Sequence, residues 1–76
     1  MSKLPVVSGK RAIAACERDG WVVARRRSSH VTMCKRGCRF VLTVPLGNEL
    51  DRGLLRRLIR DAGLSVEQFC ALLERK

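Results

Sequence analysis

Between Gly20 and Pro45 the chain reads WVVARRRSSHVTMCKRGCRFVLTV, three short β-branched runs separated by Ser28-Ser29 and by Arg36-Gly37. Such punctuation marks a three-stranded antiparallel meander, with strands expected near residues 21 to 26, 30 to 35 and 38 to 44. Pro45 ends the last strand, because proline offers no amide to a continuing ladder. The flanking segments are helical in pattern. At 76 residues and 46% hydrophobic content the chain sustains one small core and one domain.

Ser8 is a natural N-cap for a helix over Gly9 to Asp19, stopped at Gly20, with Ala12, Ile13 and Cys16 facing inward. Asp51 caps a second helix running to Ala62 and stopped at Gly63. Leu50 is placed to staple onto Leu55, and Leu55, Leu58, Ile59 and Ala62 form the apolar stripe. Arg52, Arg56 and Arg60, four residues apart, fall on the solvent side. Ser65 and Gln68 form a capping box for a short third helix that carries Phe69, Leu72 and Leu73. The order is α-β-β-β-α-α, an α+β fold with the helices on one face of an open sheet.

Burial decides the strand faces, since a slip of one residue exchanges them. A three-residue loop, Arg27 to Ser29, pairs Arg26 with His30 and gathers Trp21, Val23, Val31 and Met33 on one side. A two-residue loop gathers Val22 and Ala24 instead, and the first choice buries Trp21. A two-residue Arg36-Gly37 turn then adds Phe40, Leu42 and Val44 to the same core face. Arg26, His30, Thr32, Cys34, Arg39 and Thr43 are left on the bare face, with His30 across from Arg26 and beside Thr43.

Sixteen Lys and Arg oppose seven Asp and Glu, a formal charge of +9, and twelve of the sixteen are Arg, whose planar fork suits phosphate oxygens. A polyanionic partner is expected, nucleic acid first. Arg25, Arg26, Arg27, Lys35, Arg36 and Arg39 crowd residues 25 to 39 without an acid among them. Three aromatics, Trp21, Phe40 and Phe69, are too few for a base-stacking platform. No segment has the length or purity to span a membrane. The first residues, broken by Pro5, Ser8 and Lys10, do not resemble a secretory signal, so the expected location is the cytoplasm and the four cysteines are expected as thiols. Cys34 and Cys38 invite a zinc reading with His30, but they point to opposite faces and a fourth ligand is missing; no metal or cofactor is expected.

The stretches LPVVSGKRAIAACERDGWVVARRRSSHVTM and LTVPLGNELDRGLLRRLIRDAGLSVEQF, and the spacing between them, resemble the HicA family of bacterial and archaeal toxins over nearly the whole chain. Gly20, Trp21, Arg25, Ser29, His30, Thr43, Val44, Pro45, Gly53, Leu55, Arg56, Ala62 and Gly63 carry the resemblance. It implies a fold like a double-stranded RNA-binding domain and a metal-independent endoribonuclease acting on mRNA. It also implies restraint by a cognate HicB-like antitoxin, and catalysis by His30. Three positions depart from the family pattern: Ser28 replaces a glycine, Gly47 stands where many relatives have a second histidine, and Leu54 replaces a threonine.

Metal-free RNA cleavage needs a base for the 2′-hydroxyl, donors for the charge gathering at phosphorus, and an acid for the leaving 5′-oxygen. A neutral His30 suits the first task. Arg26 suits the second, with Arg25 or Arg27 reaching in if the loop rearranges and Ser29 able to hydrogen-bond a phosphate oxygen. The third falls to water or to a recycled His30, which implies a slow enzyme. The amides near Gly53 offer a further phosphate contact opposed by Asp51. Two other readings compete: a non-catalytic RNA-binding module of the same fold, and a small DNA-binding or ribosome-associated protein that uses Arg52, Arg56, Arg57 and Arg60.

Overall fold

The computed structural model describes residues 3–75. Its elements follow the order α1 (Gly9–Arg18), β1 (Val22–Arg26), β2 (His30–Cys34), β3 (Val41–Pro45), α2 (Arg52–Asp61) and α3 (Val66–Glu74). The strands form one antiparallel sheet in the order β1-β2-β3, and α1 crosses the face that carries the core. The architecture is the α-β-β-β-α-α arrangement of a double-stranded RNA-binding domain.

Local chemistry sets the helix ends where expected. The Ser8 hydroxyl accepts from the Arg11 amide at 3.2 Å, and Asp51 from that of Leu54 at 3.2 Å. Ser65 and Gln68 cap α3 reciprocally, at 3.0 and 2.8 Å. Gly20 and Gly63 take φ of +102° and +78°, the left-handed stop that a side chain would resist. Arg18 at the end of α1 donates to the Leu72 carbonyl and ties α1 to α3.

The core unites Ala12, Ile13, Ala15 and Cys16 of α1, Val31, Met33, Leu42 and Val44 of the sheet, Leu55, Leu58 and Ile59 of α2, and Phe69 and Leu72 of α3. Trp21 closes its edge, buried under the Lys35 ammonium, which lies 5.9 Å from the ring centroid and 3.1 Å from Asp19 Oδ2. Leu4 and Val7 are also buried. Their segment precedes the first cap and shows no periodicity, which is why the sequence pattern did not include them.

Both hairpins differ in register from expectation. In the first, Arg26 faces Val31 and Arg25 faces Thr32, and the Arg27 amide donates to the His30 carbonyl at 2.8 Å, so the loop is tighter by one residue. A one-residue slip ought to expel Trp21 and Val23 from the core. A bulge between Val23 and Arg25 absorbs it, returning Val23 to a position opposite Met33. In the second hairpin the turn forms as expected, with the Cys38 amide bonded to the Lys35 carbonyl at 3.0 Å and Gly37 at φ +81°. Arg39 and Phe40 then stay outside the ladder, and β3 begins at Val41, opposite Cys34. That displacement is two residues, so Leu42 and Val44 still face inward. Phe40, expected in the core, is instead 69% exposed.

Candidate functional site

The register defines what surrounds His30 on the bare face. Directly paired residues of an antiparallel ladder share a face, and diagonal neighbours lie within reach of long side chains. Arg27 therefore stands across from His30, with Arg25 diagonal to it and directly across from Thr32. Arg26, expected opposite His30, faces Val31 instead and belongs to the other side of the sheet. The tighter tip and the bulge after Val23 cause this exchange. On the β3 side Pro45, rather than Thr43, is the direct neighbour of His30; Thr43 pairs with Thr32 one step further on.

His30 and Ser29 are both exposed, and the Ser29 hydroxyl lies 2.9 Å from His30 Nδ1. When Nδ1 carries the proton and donates to Ser29, Nε2 presents a free lone pair to solvent. Backbone bonds hold this corner in place. Leu46 donates to the Ser29 carbonyl at 2.8 Å, Gly9 to the Gly47 carbonyl at 2.9 Å, and Leu50 to the Val7 carbonyl at 2.8 Å. The segment after β3 is thus anchored to both the histidine's neighbour and the start of α1.

The basic residues divide into two groups. Arg25, Arg26 and Arg27 are exposed beside His30, whereas Arg36 and Arg39 are exposed at the opposite end of β2, four residues or ~13 Å along the strand. Lys35 is half-buried and held by Asp19. Arg52 and Arg56 are exposed on α2, on a different face from Gly53, Leu54, Arg57, Leu58 and Asp61, which line a groove of about 740 Å³. The opposite wall is Val41, Leu42, Thr43 and Pro45, and His30 lies at its mouth. The sequence reading did not include this groove. Its α2 face is readable as a helical stripe, but nothing local indicates that α2 lies beside the free edge of β3.

A family model described as the HicA toxin of bacterial toxin-antitoxin systems matches residues 9–64. The chain belongs to the HicA toxin family. The matched span runs from the first residue of α1 to just past the stop of α2, so α3 lies outside it. His30, Ser29, the three arginines of the first hairpin and the whole groove lie within it. No curated protein matches this HicA chain as a relative. Membership makes it the toxin of a toxin–antitoxin pair and implies an antitoxin partner. No helix among the described residues of the HicA chain is long and apolar enough to cross a membrane.

Proposed function

We propose that this toxin is an endoribonuclease that cleaves mRNA in the cytoplasm, uses His30 for proton transfer without a metal ion, and is restrained by a HicB-like antitoxin. The observation that supports this most directly is the pairing of an exposed imidazole, within hydrogen-bonding distance of Ser29 through Nδ1, with a row of exposed guanidinium groups on one hairpin.

In this reading the substrate phosphate sits between His30 and the hairpin arginines. His30 Nε2 accepts the proton of the 2′-hydroxyl as the 2′-oxygen attacks phosphorus. The bond from phosphorus to the 5′-oxygen breaks, giving a 2′,3′-cyclic phosphate and a free 5′-hydroxyl. The proton gained by His30 passes to the departing oxygen, directly or through water, so the imidazole ends as it began. Arg27 and Arg25, which share the His30 face, steady the charge on the phosphoryl oxygens, and Arg26 holds a flanking phosphate. Ser29 orients the ring and is able to contact a phosphate oxygen. Arg36, Arg39, Arg52 and Arg56 bind the RNA backbone further out, and Lys35 adds charge at long range. A single proton-transfer residue makes the enzyme slow.

The test is His30→Ala. Because the side chain is exposed, the variant folds with the wild-type circular dichroism spectrum and thermal midpoint. RNA cleavage and growth arrest on expression are both lost. A variant that cleaves at the wild-type rate refutes the assignment, and wild-type protein that binds RNA without cutting it establishes the non-catalytic reading instead.

A further inference from the structure

The groove between β3 and α2 has no role in the proton-transfer scheme, yet it opens at His30. Its floor is strand edge. The Leu46–Ser29 bond places residues 42, 44 and 46 of the β3 segment in the inward-bonding positions, because bonded and non-bonded pairs alternate along an antiparallel ladder. Val41, Thr43 and Pro45 then direct their backbone polar groups outward. Pro45 has no amide to leave unpaired, and its outward carbonyl is covered by Gly9, where an added Cβ would lie 1.9 Å from that oxygen. Among the described residues the outward amide and carbonyl of Thr43 have no backbone partner, and they lie next to the Thr43 hydroxyl.

Val41 is 58% and Leu54 36% exposed, apolar surfaces on the strand wall and the helix wall of the groove, and Arg57 and Asp61 add polar groups to its lining. Both sides have the same length: Gly53 to Asp61 spans ~12 Å of helix and Val41 to Pro45 ~13 Å of strand. The volume of about 740 Å³ lies within the range of ligand sites, roughly 300–1,000 Å³.

Resting on the endoribonuclease reading, we propose that this groove is a nucleobase subsite, which takes the bases flanking the cleaved bond and reads one of them through the open strand edge at Thr43. Three observations favour a nucleotide over a protein segment. The groove is continuous with His30, so a chain held there is delivered to the proton-transfer group. The molecule carries +9, and Arg27 stands across the hairpin from His30, which lines the groove. Finally, apolar walls over paired donors and acceptors suit a base, whose faces are flat and apolar and whose Watson–Crick edge carries a donor beside an acceptor. Sequence preference in RNA cleavage then arises at β3 and α2, while the hairpin supplies phosphate contacts that carry none.

Leu54→Trp, at an exposed position, fills the groove without touching the core. Cleavage of a random RNA pool, mapped at the cut ends, gives a preference profile for the intact wild-type protein. In the variant, preference at the positions flanking the cut changes by at least fivefold and KM rises. An unchanged profile and KM overturn the subsite. A second measurement is independent of catalysis: titration of the 15N-labelled protein with a 2′-O-methylated tetranucleotide, which has no attacking hydroxyl. The amides of Val41, Thr43 and Leu54 shift in the wild type and in His30→Ala but not in Leu54→Trp. Shifts confined to the hairpin overturn the subsite while leaving the nuclease reading intact. A wild type that cleaves nothing yet shows the groove shifts defeats the nuclease reading alone. Loss of antitoxin neutralisation in Leu54→Trp with an unaltered profile identifies the groove as a protein seat and overturns the proposal.

Discussion

Gly9 is the position where two physical arguments give opposite signs. It is the first residue of α1, and replacing glycine by alanine within a helix ordinarily stabilises by ~0.5–1 kcal/mol, since alanine loses less backbone freedom. Here the added Cβ meets the Pro45 carbonyl oxygen at 1.9 Å, its carbon at 2.9 Å and Leu46 Cα at 3.0 Å. A comfortable carbon–oxygen separation is roughly 3.3 Å, so the start of α1 has to retreat by more than ~1 Å. All three obstacles are backbone atoms and none can rotate away. That retreat stretches the 2.9 Å bond from Gly9 to Gly47 past its useful length and loosens the packing of Ala12, Ile13 and Cys16, all buried. Overpacking costs about 1–3 kcal/mol and an orphaned buried amide about 1–3 kcal/mol. After the propensity gain, Gly9→Ala is destabilising by about 3 kcal/mol. Urea unfolding followed by Trp21 fluorescence reads this directly, because that ring is 2% exposed in the native state. With a slope near 1 kcal/mol per molar, the midpoint falls by about 2–3 M, and Tm by roughly 15 °C. A midpoint equal to or above that of the wild type refutes the steric argument and shows that α1 does not lie so close to β3.

Two further outcomes follow from charge and burial. Burial, reinforced by Asp19 and Glu17, pushes the Cys16 thiol up to about 11. The folded value exceeds the unfolded one of ~8.5, so its stabilisation is complete below that pH and is lost as pH rises toward 11; iodoacetamide at pH 8.5, followed by mass spectrometry, labels Cys34, Cys38 and Cys70 well before Cys16, and equal rates contradict the burial. Arg27, placed opposite His30, contacts phosphate in the proposed complex, so Arg27→Ala reduces the slope of log affinity for single-stranded RNA against log salt by ~0.7, measured by fluorescence anisotropy, and an unchanged slope removes Arg27 from the interface.

The two hairpins show which parts of a fold a hydrophobic pattern can and cannot encode. Caps and stops are local chemistry, so Ser8, Asp51, Ser65, Gly20 and Gly63 are legible residue by residue. Strand register is not local. A shift of two residues in β3 leaves Leu42 and Val44 inward, and the pattern is satisfied equally by either alignment. What separates them is the cost of confining Arg39 and Phe40 in a tight ladder against leaving them outside, and Phe40 is left largely in solvent. In the first hairpin a one-residue slip does reverse the faces, and burial of Trp21 correctly demands that Val23 face inward. Two devices meet that demand, a longer loop or a bulge, and the sequence contains no glycine in 21 to 29 to distinguish them.

For the candidate site, the consequence is a change of partner with no change of principle. The bare-face location of His30 depends only on Val31 and Met33 being buried, so it survives both register shifts. The identity of its neighbours depends on register itself, and there Arg27 and Pro45 replace Arg26 and Thr43. The shift in β3 leaves the strand edge itself unchanged. A displacement of two residues preserves which backbone groups point outward, so Thr43 and Pro45 direct theirs to the free edge in either alignment, and at Pro45 a missing amide costs nothing. What the alignment changes is the residue beside His30, Pro45 here and Thr43 with the strand two residues out. The groove was concealed for a different reason: it needs α2 to lie beside the free edge of β3, and that is set by packing between elements distant in the chain, while the pattern along each strand records only which side chains are inside.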